Sequence, residues 1–342
     1  MDAPTYIRRR VEAIIEHSEA VYQQAPKVAN QFNSWSALKL ILHSSGVNMY
    51  TQVMSNQPIE DIYYIDALAG SGVSSHDSGY FLGSALIACR AAQIPFSKMY
   101  FIDGNKENCN ALEHRLEYVF TLEEFTEPHD WEVIPGNTNE EISEVVADIY
   151  DRSDFDDGFN YYAFIDNQGL DFDWESIEAL TPTPQGDLLI NLPTAHGIGR
   201  NIDSQAAEDF YGESLDWLNT TGKLREQLKR RYQARLCERD REVQVSTQVR
   251  ADVGSFYYDL IYATRNIPGG NDYMEVMEYV KGFIEKVHSG NVDNILKVVR
   301  GHQKDFSSFL PDDEPEDELL EENEGAEVDP TRQTGLSEYQ RS

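Results

Sequence analysis

Short apolar segments alternate with helical segments through the middle of the chain. Continuous apolar runs are typical of buried parallel strands, which right-handed helical crossovers connect. The strand candidates are Ile62–Ala67, Met99–Asp103, Trp131–Ile134, Tyr161–Asp166 and Leu188–Leu192. Helical spacing of apolar positions separates them near 83–93, 106–119 and 138–151, with a shorter helix after Trp174. This alternation predicts an open α/β sheet.

The N-terminal part of the chain has a different, purely helical pattern. Apolar residues recur at helical spacing over 5–24 and again through Trp35–Leu42. We therefore predict that residues 1–56 form a helical segment packed on the core of an α/β domain that spans 57–300.

The pattern changes again after the last apolar strand. Residues 204–238 are predicted to form a helical insertion, and a last helix is predicted after Asn271. Between them, Glu242–Arg250 and Ser255–Asn266 have the spacing of a β-hairpin. An α/β sheet that ends in an antiparallel hairpin is the layout of class I methyltransferases, whereas the sheet of dinucleotide dehydrogenases is parallel throughout. The predicted fold is thus a Rossmann-like class I methyltransferase fold, with a mostly parallel sheet, a C-terminal antiparallel hairpin and extra N-terminal helices.

Composition limits the class of protein and its expected cellular location. The chain has 342 residues, of which 40% are hydrophobic, enough to build a core. It has no apolar run long enough for a membrane helix and no apolar signal core at its N-terminus, so we expect a cytoplasmic protein. The three cysteines form no C-x-x-C pair, and the eight histidines are scattered, so no metal site is predicted.

The acidity of the chain requires its own explanation. Sixty acids against 28 basic residues give a net charge of −32, and residues 311–342 are predicted to form an acidic, disordered tail. A chain with this charge repels itself in dilute salt, and molar salt screens the repulsion to within roughly 3 Å. We therefore expect a halophilic source. The alternative is a general aversion to nucleic acid, effective only at low salt.

The strongest chemical signal is the turn that follows the first strand. The strand ends in Asp66, and Ala69, Gly70 and Gly72 follow it. Small residues let the backbone approach a ligand closely, and an acid at a strand end can bind an amine or a hydroxyl. A tight turn alone also selects glycine, so this second interpretation stays open.

The next two strands also end in polar residues. Asp103 is positioned to accept hydrogen bonds from ribose hydroxyls, and the segment Asp103–Asn105 could cap the helix that begins near Lys106; both roles can hold at once. Asn137 follows the third strand, where an adenine would lie in a doubly wound fold, and could accept the adenine amine through its amide oxygen.

The fourth and fifth strands supply the candidate acceptor side of the site. Asp166 begins the segment Asp166–Gly169, of sequence D-N-Q-G, and could accept a hydrogen bond from a substrate amine or act as a base. The same four residues also suit an ordinary turn. Asn191 ends the fifth strand at the same edge, and His196 and Arg200 follow on a loop that could close a pocket.

One basic segment stands out in this acidic chain. Residues 223–241 contain eight basic side chains, which suggest either a contact with nucleic acid or a helix whose charges pair with the acidic surface.

Together these residues resemble the three-Cys-motif partner family, TcmP. The resemblance spans roughly 30–270 and rests on the order and spacing of Trp35 with Lys39–Ile41, Ile65–Gly72, Gly83–Ala88, Phe101–Asp103, Gly136–Asn139, Ala163–Leu170, Asp187–Asn191, Phe210–Gly212 with Trp217, and Tyr257–Thr264. It implies a methyltransferase-type fold and a separate three-Cys-motif protein as partner; Cys89, Cys109 and Cys237 are not that motif.

Two functions follow from the resemblance. The first is an S-adenosylmethionine-dependent methyltransferase, with Asp66, Ala69, Gly70 and Gly72 at the methionine end of the cofactor. Asp103 would then hold its ribose, Asn137 its adenine, and Asp166 and Asn191 the acceptor. The second is a non-catalytic partner protein that keeps the fold, with or without the cofactor, and assists another protein. The D-N-Q-G loop favours the second, because the family motif there usually reads D-P-Y-G. A nicotinamide-dependent oxidoreductase is disfavoured by the terminal hairpin.

Overall fold

The computed structural model describes residues 3–31, 33–77, 79–153, 158–193, 201–218, 223–250, 257–267, 271–287 and 289–300. The predicted acidic tail, His196, Arg200 and the connection of the predicted hairpin lie outside these residues. In chain order the elements are α1 (Ala3–Ile15), α2 (Ser18–Tyr22), β1 (Asn30–Gln31), α3 (Ser34–Met54), β2 (Asp61–Asp66), β3 (Val73–His76), β4 (Gly79–Leu82), α4 (Ser84–Ala91), β5 (Lys98–Asp103), α5 (Lys106–Val119), β6 (Trp131–Pro135), α6 (Thr138–Arg152), β7 (Phe159–Ile165), α7 (Trp174–Leu180), β8 (Asp187–Leu192), α8 (Gln205–Tyr211), α9 (Leu224–Cys237), β9 (Val243–Arg250), β10 (Tyr257–Thr264), a 3₁₀ turn (Asp272–Met274), α10 (Glu275–Ile284) and α11 (Ser289–Val299).

The main sheet, within the described residues, has seven strands in the order β6-β5-β2-β7-β8-β10-β9. Strands β6, β5, β2, β7 and β8 are parallel, whereas β10 runs antiparallel to both β8 and β9. The hairpin therefore folds back so that its second strand, β10, lies between β8 and the first strand, β9. This order, with one reversed strand inside an otherwise parallel sheet, is the class I methyltransferase fold, and it confirms the predicted fold class.

The chain changes direction in the middle of this sheet. It runs from β2 outward to β6 through α4 and α5, and then returns to β7 on the other side of β2. The carboxyl ends of β2 and β7 therefore border a topological switch point, where open α/β sheets bind their ligands.

Two apolar layers cover the sheet. Side chains alternate along each strand, so that Tyr64 packs in the layer of α3, α4 and α5, while Tyr63 and Ile65 pack in the layer of α6, α7, α8 and α9. The side chains of Tyr63, Tyr64 and Ile65 are almost fully buried. Burial of both faces explains why these strands are continuous apolar runs in the sequence.

The N-terminal helices pack against the first layer. Val11, Ile14 and Val21 are buried there, and α3 extends to Met54, twelve residues beyond the segment recognised in the sequence. None of the described helices is both long and apolar enough to span a membrane.

A second, small sheet was not predicted. Strand β1 pairs in parallel with β3, and β3 pairs antiparallel with β4. The strands contain only two to four residues, and β3 is mostly polar, so no alternation or apolar run marks them. This sheet brings the N-terminal segment beside the glycine turn that follows β2.

Candidate functional site

A small cleft of about 80 Å³ lies at the carboxyl ends of β2 and β7. The turn after β2, the start of α4 and one side of α3 form its walls, and Asp166 closes the side of β7. The cleft is thus at the switch point that the strand order defines.

The backbone of the glycine turn is held by protein groups. The N–H of Ala69 donates to the carbonyl of Ile102 at 2.9 Å, and the N–H of Gly70 donates to Oδ2 of Asp103 at 2.9 Å. The N–H of Ser71 donates to Oδ1 of Asn30 at 3.0 Å. Three consecutive N–H groups are therefore hydrogen-bonded within the protein.

The two glycines are required by conformation and by packing. Gly70 and Gly72 have φ values of +62° and +78°, which side chains other than glycine rarely adopt. A Cβ atom at Gly72 would also lie 2.7 Å from Cδ1 of Leu112. The two interpretations of the glycines therefore coexist: they make a tight turn, and that turn lines the cleft.

Asn30 and Arg115 support this turn and were missed as site residues. Oδ1 of Asn30 also accepts the hydroxyl of Ser71 at 2.8 Å. The fully buried Arg115 donates to the carbonyl of Ser71 at 2.5 Å and to the carbonyls of Ala25 and Val28 at 2.9 and 2.6 Å. Arg115 lies three residues after Leu112, on the apolar face of α5. A charged residue on an apolar helix face was the feature of the sequence that could have identified it.

Asp103 contacts the turn and does not cap the helix. Its Oδ1 accepts the N–H of Asn105 at 2.9 Å and the amide of Asn108 at 3.1 Å, while Oδ2 accepts Gly70. The cap of α5 is Asn105, whose side chain accepts the N–H of Glu107 at 2.8 Å. The predicted capping segment Asp103–Asn105 therefore does cap α5, through the side chain of Asn105. The ribose contact stays a prediction.

Asn137 is the N-cap of α6. Its Oδ1 accepts the N–H of Asn139 at 3.1 Å, and its Nδ2 donates to Glu140 at 3.3 Å. The side chain is exposed and is not among the residues that line the cleft. The amide oxygen that the adenine contact requires thus already accepts a hydrogen bond at the start of α6. The contact with adenine stays a prediction.

Asp66 is completely buried beneath the cleft. Its Oδ2 accepts the hydroxyl of Tyr64 at 3.1 Å, and that hydroxyl lies 3.2 Å from Nε2 of His43. Burial raises the pKa of Asp66 to about 7, and the neighbouring Asp166 raises it too, against the effect of polar contacts with Ser84 and Tyr64. Burial also lowers the pKa of His43 to about 3, so its ring is neutral.

The two predicted acceptor-side residues lie together. Nδ2 of Asn191 donates to Oδ1 of Asp166 at 3.0 Å and to the carbonyl of Asn167 at 2.8 Å. Both side chains stand at the carboxyl edge, as the strand ends predict.

Lys39 completes this cluster and was not predicted as a site residue. Its Nζ lies 2.5 Å from Oδ2 of Asp166, and both side chains are only 12% and 14% exposed. Among the 21 residues of α3, Lys39 is the only one of the types Asp, Glu, Lys and Arg. A single charge in an otherwise uncharged helix was the feature of the sequence that could have identified it.

The D-N-Q-G segment is a turn closed by a carboxylate. Oδ2 of Asp171 accepts the N–H groups of Gln168 and Gly169 at 3.2 and 2.9 Å. Asn167 is fully buried, and neither its amide oxygen nor its amide nitrogen has a hydrogen-bond partner among the described residues. The segment therefore forms a turn and also faces Asn191 through its backbone.

Six of the eight basic side chains of 223–241 contact other groups of the protein. Arg225 and Lys229 contact the buried Asp259 at 2.8 and 3.2 Å, and Arg231 contacts Glu213 at 2.5 Å. The described contacts of Arg235, Arg239 and Arg241 are likewise with carbonyls, hydroxyls, Glu178 and the ring of Trp174. These pairs attach α9 to β10 and to the loop before β8. Among the described residues no group of His, Cys, Asp and Glu side chains could hold a metal ion.

The chain has low similarity to proteins of known structure. No protein-family model and no curated protein matches it. Protein LPL1258 from Legionella pneumophila, of the family DUF519, is 11% identical over 72% of this chain and 92% of that one, with a TM-score of 0.44. The O-methyltransferase TomG from Streptomyces achromogenes, in complex with S-adenosylmethionine, is 14% identical over 71% and 95%, with a TM-score of 0.37. Magnesium protoporphyrin IX methyltransferase from Synechocystis, also with bound S-adenosylmethionine, is 9% identical over 78% and 98%, with a TM-score of 0.37. The fold assignment rests on the strand order itself.

Proposed function

We propose that this protein is an S-adenosylmethionine-dependent methyltransferase whose cofactor lies in the cleft at the carboxyl ends of β2 and β7, beside Asp103 at the end of β5. The observation that carries the proposal is the strand order, in which the reversed β10 lies between β8 and β9. The cleft lies at the switch point of that order, where such a sheet binds its ligand.

The residues around the cleft fit this cofactor. Its amino-acid end carries a carboxylate and an ammonium group; Lys39 is a cation that lines the cleft, and the acid Asp66 is buried at the end of β2. The glycine turn provides a close backbone approach, and Asp103 stands directly behind it. When bound, the cofactor supplies a methyl group activated by a sulfonium.

The protein contributes orientation and the exclusion of water. Asp166, held by Lys39 and Asn191, offers a fixed carboxylate to an acceptor N–H or O–H. Methyl transfer requires in-line positioning more than a strong base, so this arrangement suits it. The acceptor would be oriented by Asp166 and Asn191, and Asp166→Ala should abolish transfer.

The same turn argues against a nicotinamide-dependent oxidoreductase. In that class a pyrophosphate lies against the turn and the helix that directly follows it. Here the N–H groups of residues 69–71 are engaged within the protein, and the β3–β4 hairpin separates Gly72 from α4.

A non-catalytic role beside a three-Cys-motif protein is the second candidate. It is favoured by the ion pair of Lys39 with Asp166, because that carboxylate already has two partners inside the protein. The resemblance to the TcmP family implies a three-Cys-motif protein as the partner. A nucleic acid bound at 223–241 is a separate proposal, which rests on the basic residues of that segment. Enrichment of a three-Cys-motif protein from its native extract on the immobilised full chain would support this role.

Binding of S-adenosylhomocysteine tests the first candidate. Calorimetry in concentrated KCl should give saturable binding by the wild-type chain, weakened in Asp103→Asn and unchanged in Asp151→Asn, a matched change at an exposed position of α6. Absence of binding by folded wild-type protein would contradict the methyltransferase proposal.

A further inference from the structure

Lys39 is one of the residues that line the cleft. It stands on α3, which is anchored by the fully buried Leu38 and Leu42. Gly70, Ser84 and Asp166 line the same cleft. Among the described residues that line the cleft, Lys39 is the only Lys or Arg.

The ammonium group of Lys39 has bonding capacity beyond its ion pair. An ammonium has three N–H donors, and the bond to Asp166 uses one of them. The side chain is only 12% exposed, so a ligand anion beside it would meet a weakly screened positive charge. The charge and the remaining donors are therefore suited to a carboxylate placed in the cleft.

We propose that Lys39 binds the α-carboxylate of the cofactor's amino-acid end while it keeps Asp166 in position. This inference rests on the proposed function and adds a specific residue to it. One side chain then connects the two halves of the site, because the ammonium that holds the cofactor's carboxylate also orients the carboxylate that faces the acceptor. The N-terminal helix α3 is thus part of the site and not only a cover for the sheet.

Two ligands that differ only in the amino-acid part test this role. S-adenosylhomocysteine carries the α-carboxylate, whereas 5′-methylthioadenosine has the same adenosine and thioether but no carboxylate. Calorimetric titrations of both into wild type, Lys39→Met and Lys39→Arg, at one fixed KCl concentration, separate recognition of the carboxylate from a general disturbance of the cleft. Thermal unfolding of each variant reports on folding.

The expected result is specific to one ligand. Lys39→Met should bind S-adenosylhomocysteine about 10- to 100-fold more weakly, the effect of losing a hydrogen bond to a charged group, and should bind 5′-methylthioadenosine as wild type does. Lys39→Arg should recover most of the loss, because its guanidinium also donates to a carboxylate.

Three outcomes would overturn the inference, and they distinguish a wrong role for Lys39 from a wrong proposed function. Equal losses for both ligands would mean that Lys39 only shapes the cleft. Unchanged binding of S-adenosylhomocysteine by folded Lys39→Met would mean that the carboxylate is bound elsewhere, with the proposed function intact. Failure of the wild-type protein to bind either ligand would contradict the proposed function itself.

Discussion

Oδ2 of Asp103 accepts the backbone N–H of Gly70 across 2.9 Å, and this bond joins the end of β5 to the turn after β2. The two residues are 33 positions apart in the chain but meet because β2 and β5 are neighbouring parallel strands. The acid predicted to hold a ribose thus first holds the glycine turn. Its second oxygen binds Asn105 and Asn108 at the start of α5.

We expect Asp103→Ala to destabilise the protein as well as to weaken cofactor binding. The change leaves the N–H of Gly70 without its acceptor, and a lost partner of this kind costs about 1–3 kcal/mol. The free energy of unfolding, from denaturant titration in KCl, measures the effect. Asp103→Asn keeps one oxygen and should lose less. Equal stability of wild type and Asp103→Ala would mean that the bond does not hold the turn.

We expect Arg115→Met to disturb the cleft from a distance. Arg115 is fully buried and donates to the carbonyls of Ala25, Val28 and Ser71, so its loss removes a charged donor from each of these three acceptors. The expected loss of stability is about 3 kcal/mol, typical of breaking a buried charged network. Denaturant unfolding measures it, and binding of S-adenosylhomocysteine should weaken as the turn loosens. Arg230→Met, at an exposed position of α9, is the matched control. A loss confined to stability would mean that the turn keeps its shape without Arg115.

The positions of the main strands were predictable because burial on both faces leaves a strong signal. Each of the five parallel strands was found within two residues of its predicted ends, and the polar residues at those ends gather at one edge by topology alone. Asp166 and Asn191 meet for this reason, although 25 residues separate them.

The supporting contacts were not predictable by the same reasoning. Asn30 reaches Ser71 through the short pairing of β1 with β3, which has no periodicity to detect. Lys39 and Arg115 are charged residues within apolar helical faces, and their partners are set by tertiary packing. In both helices the sequence shows a single charged residue on a buried face. That pattern indicates which residue is unusual, but it does not predict that Asp166 or Ser71 is its partner.

Cofactor binding should depend on pH through Asp66. Its pKa is raised to about 7, so the empty site holds a proton at mildly acidic pH, and binding a cationic group beside it favours proton release. The affinity for S-adenosylmethionine should therefore rise with pH and level off above about 7. Calorimetry in buffers of different ionisation enthalpy would report the released proton. Asp66→Asn should bind with little pH dependence; a full pH dependence in this variant would assign the proton to another group.

The same carboxyl affects stability in the opposite direction. Its pKa in the unfolded chain is close to 3.8, so the folded protein binds more protons than the unfolded chain between that value and about 7. The contribution of Asp66 to folding therefore decreases as pH rises through this range. Relative to Asp66→Asn, the wild-type free energy of unfolding should decrease from about pH 4 to pH 7. A difference that stays constant over this range would contradict the assignment.

Concentrated salt should stabilise the fold. A net charge of −32 makes the folded chain repel itself, and molar KCl reduces the range of that repulsion from roughly 10 Å at 0.1 M to roughly 3 Å. The melting temperature should therefore rise steadily between 0.1 and 3 M KCl. Sucrose, which is uncharged and also excluded from protein surfaces, separates screening from exclusion. A chain lacking residues 311–342 carries twelve fewer acids and two fewer arginines, and should need less salt to reach the same melting temperature. A melting temperature highest in dilute buffer would contradict the halophilic interpretation of the charge, and equal salt dependence of the two chains would assign the effect to residues 1–310.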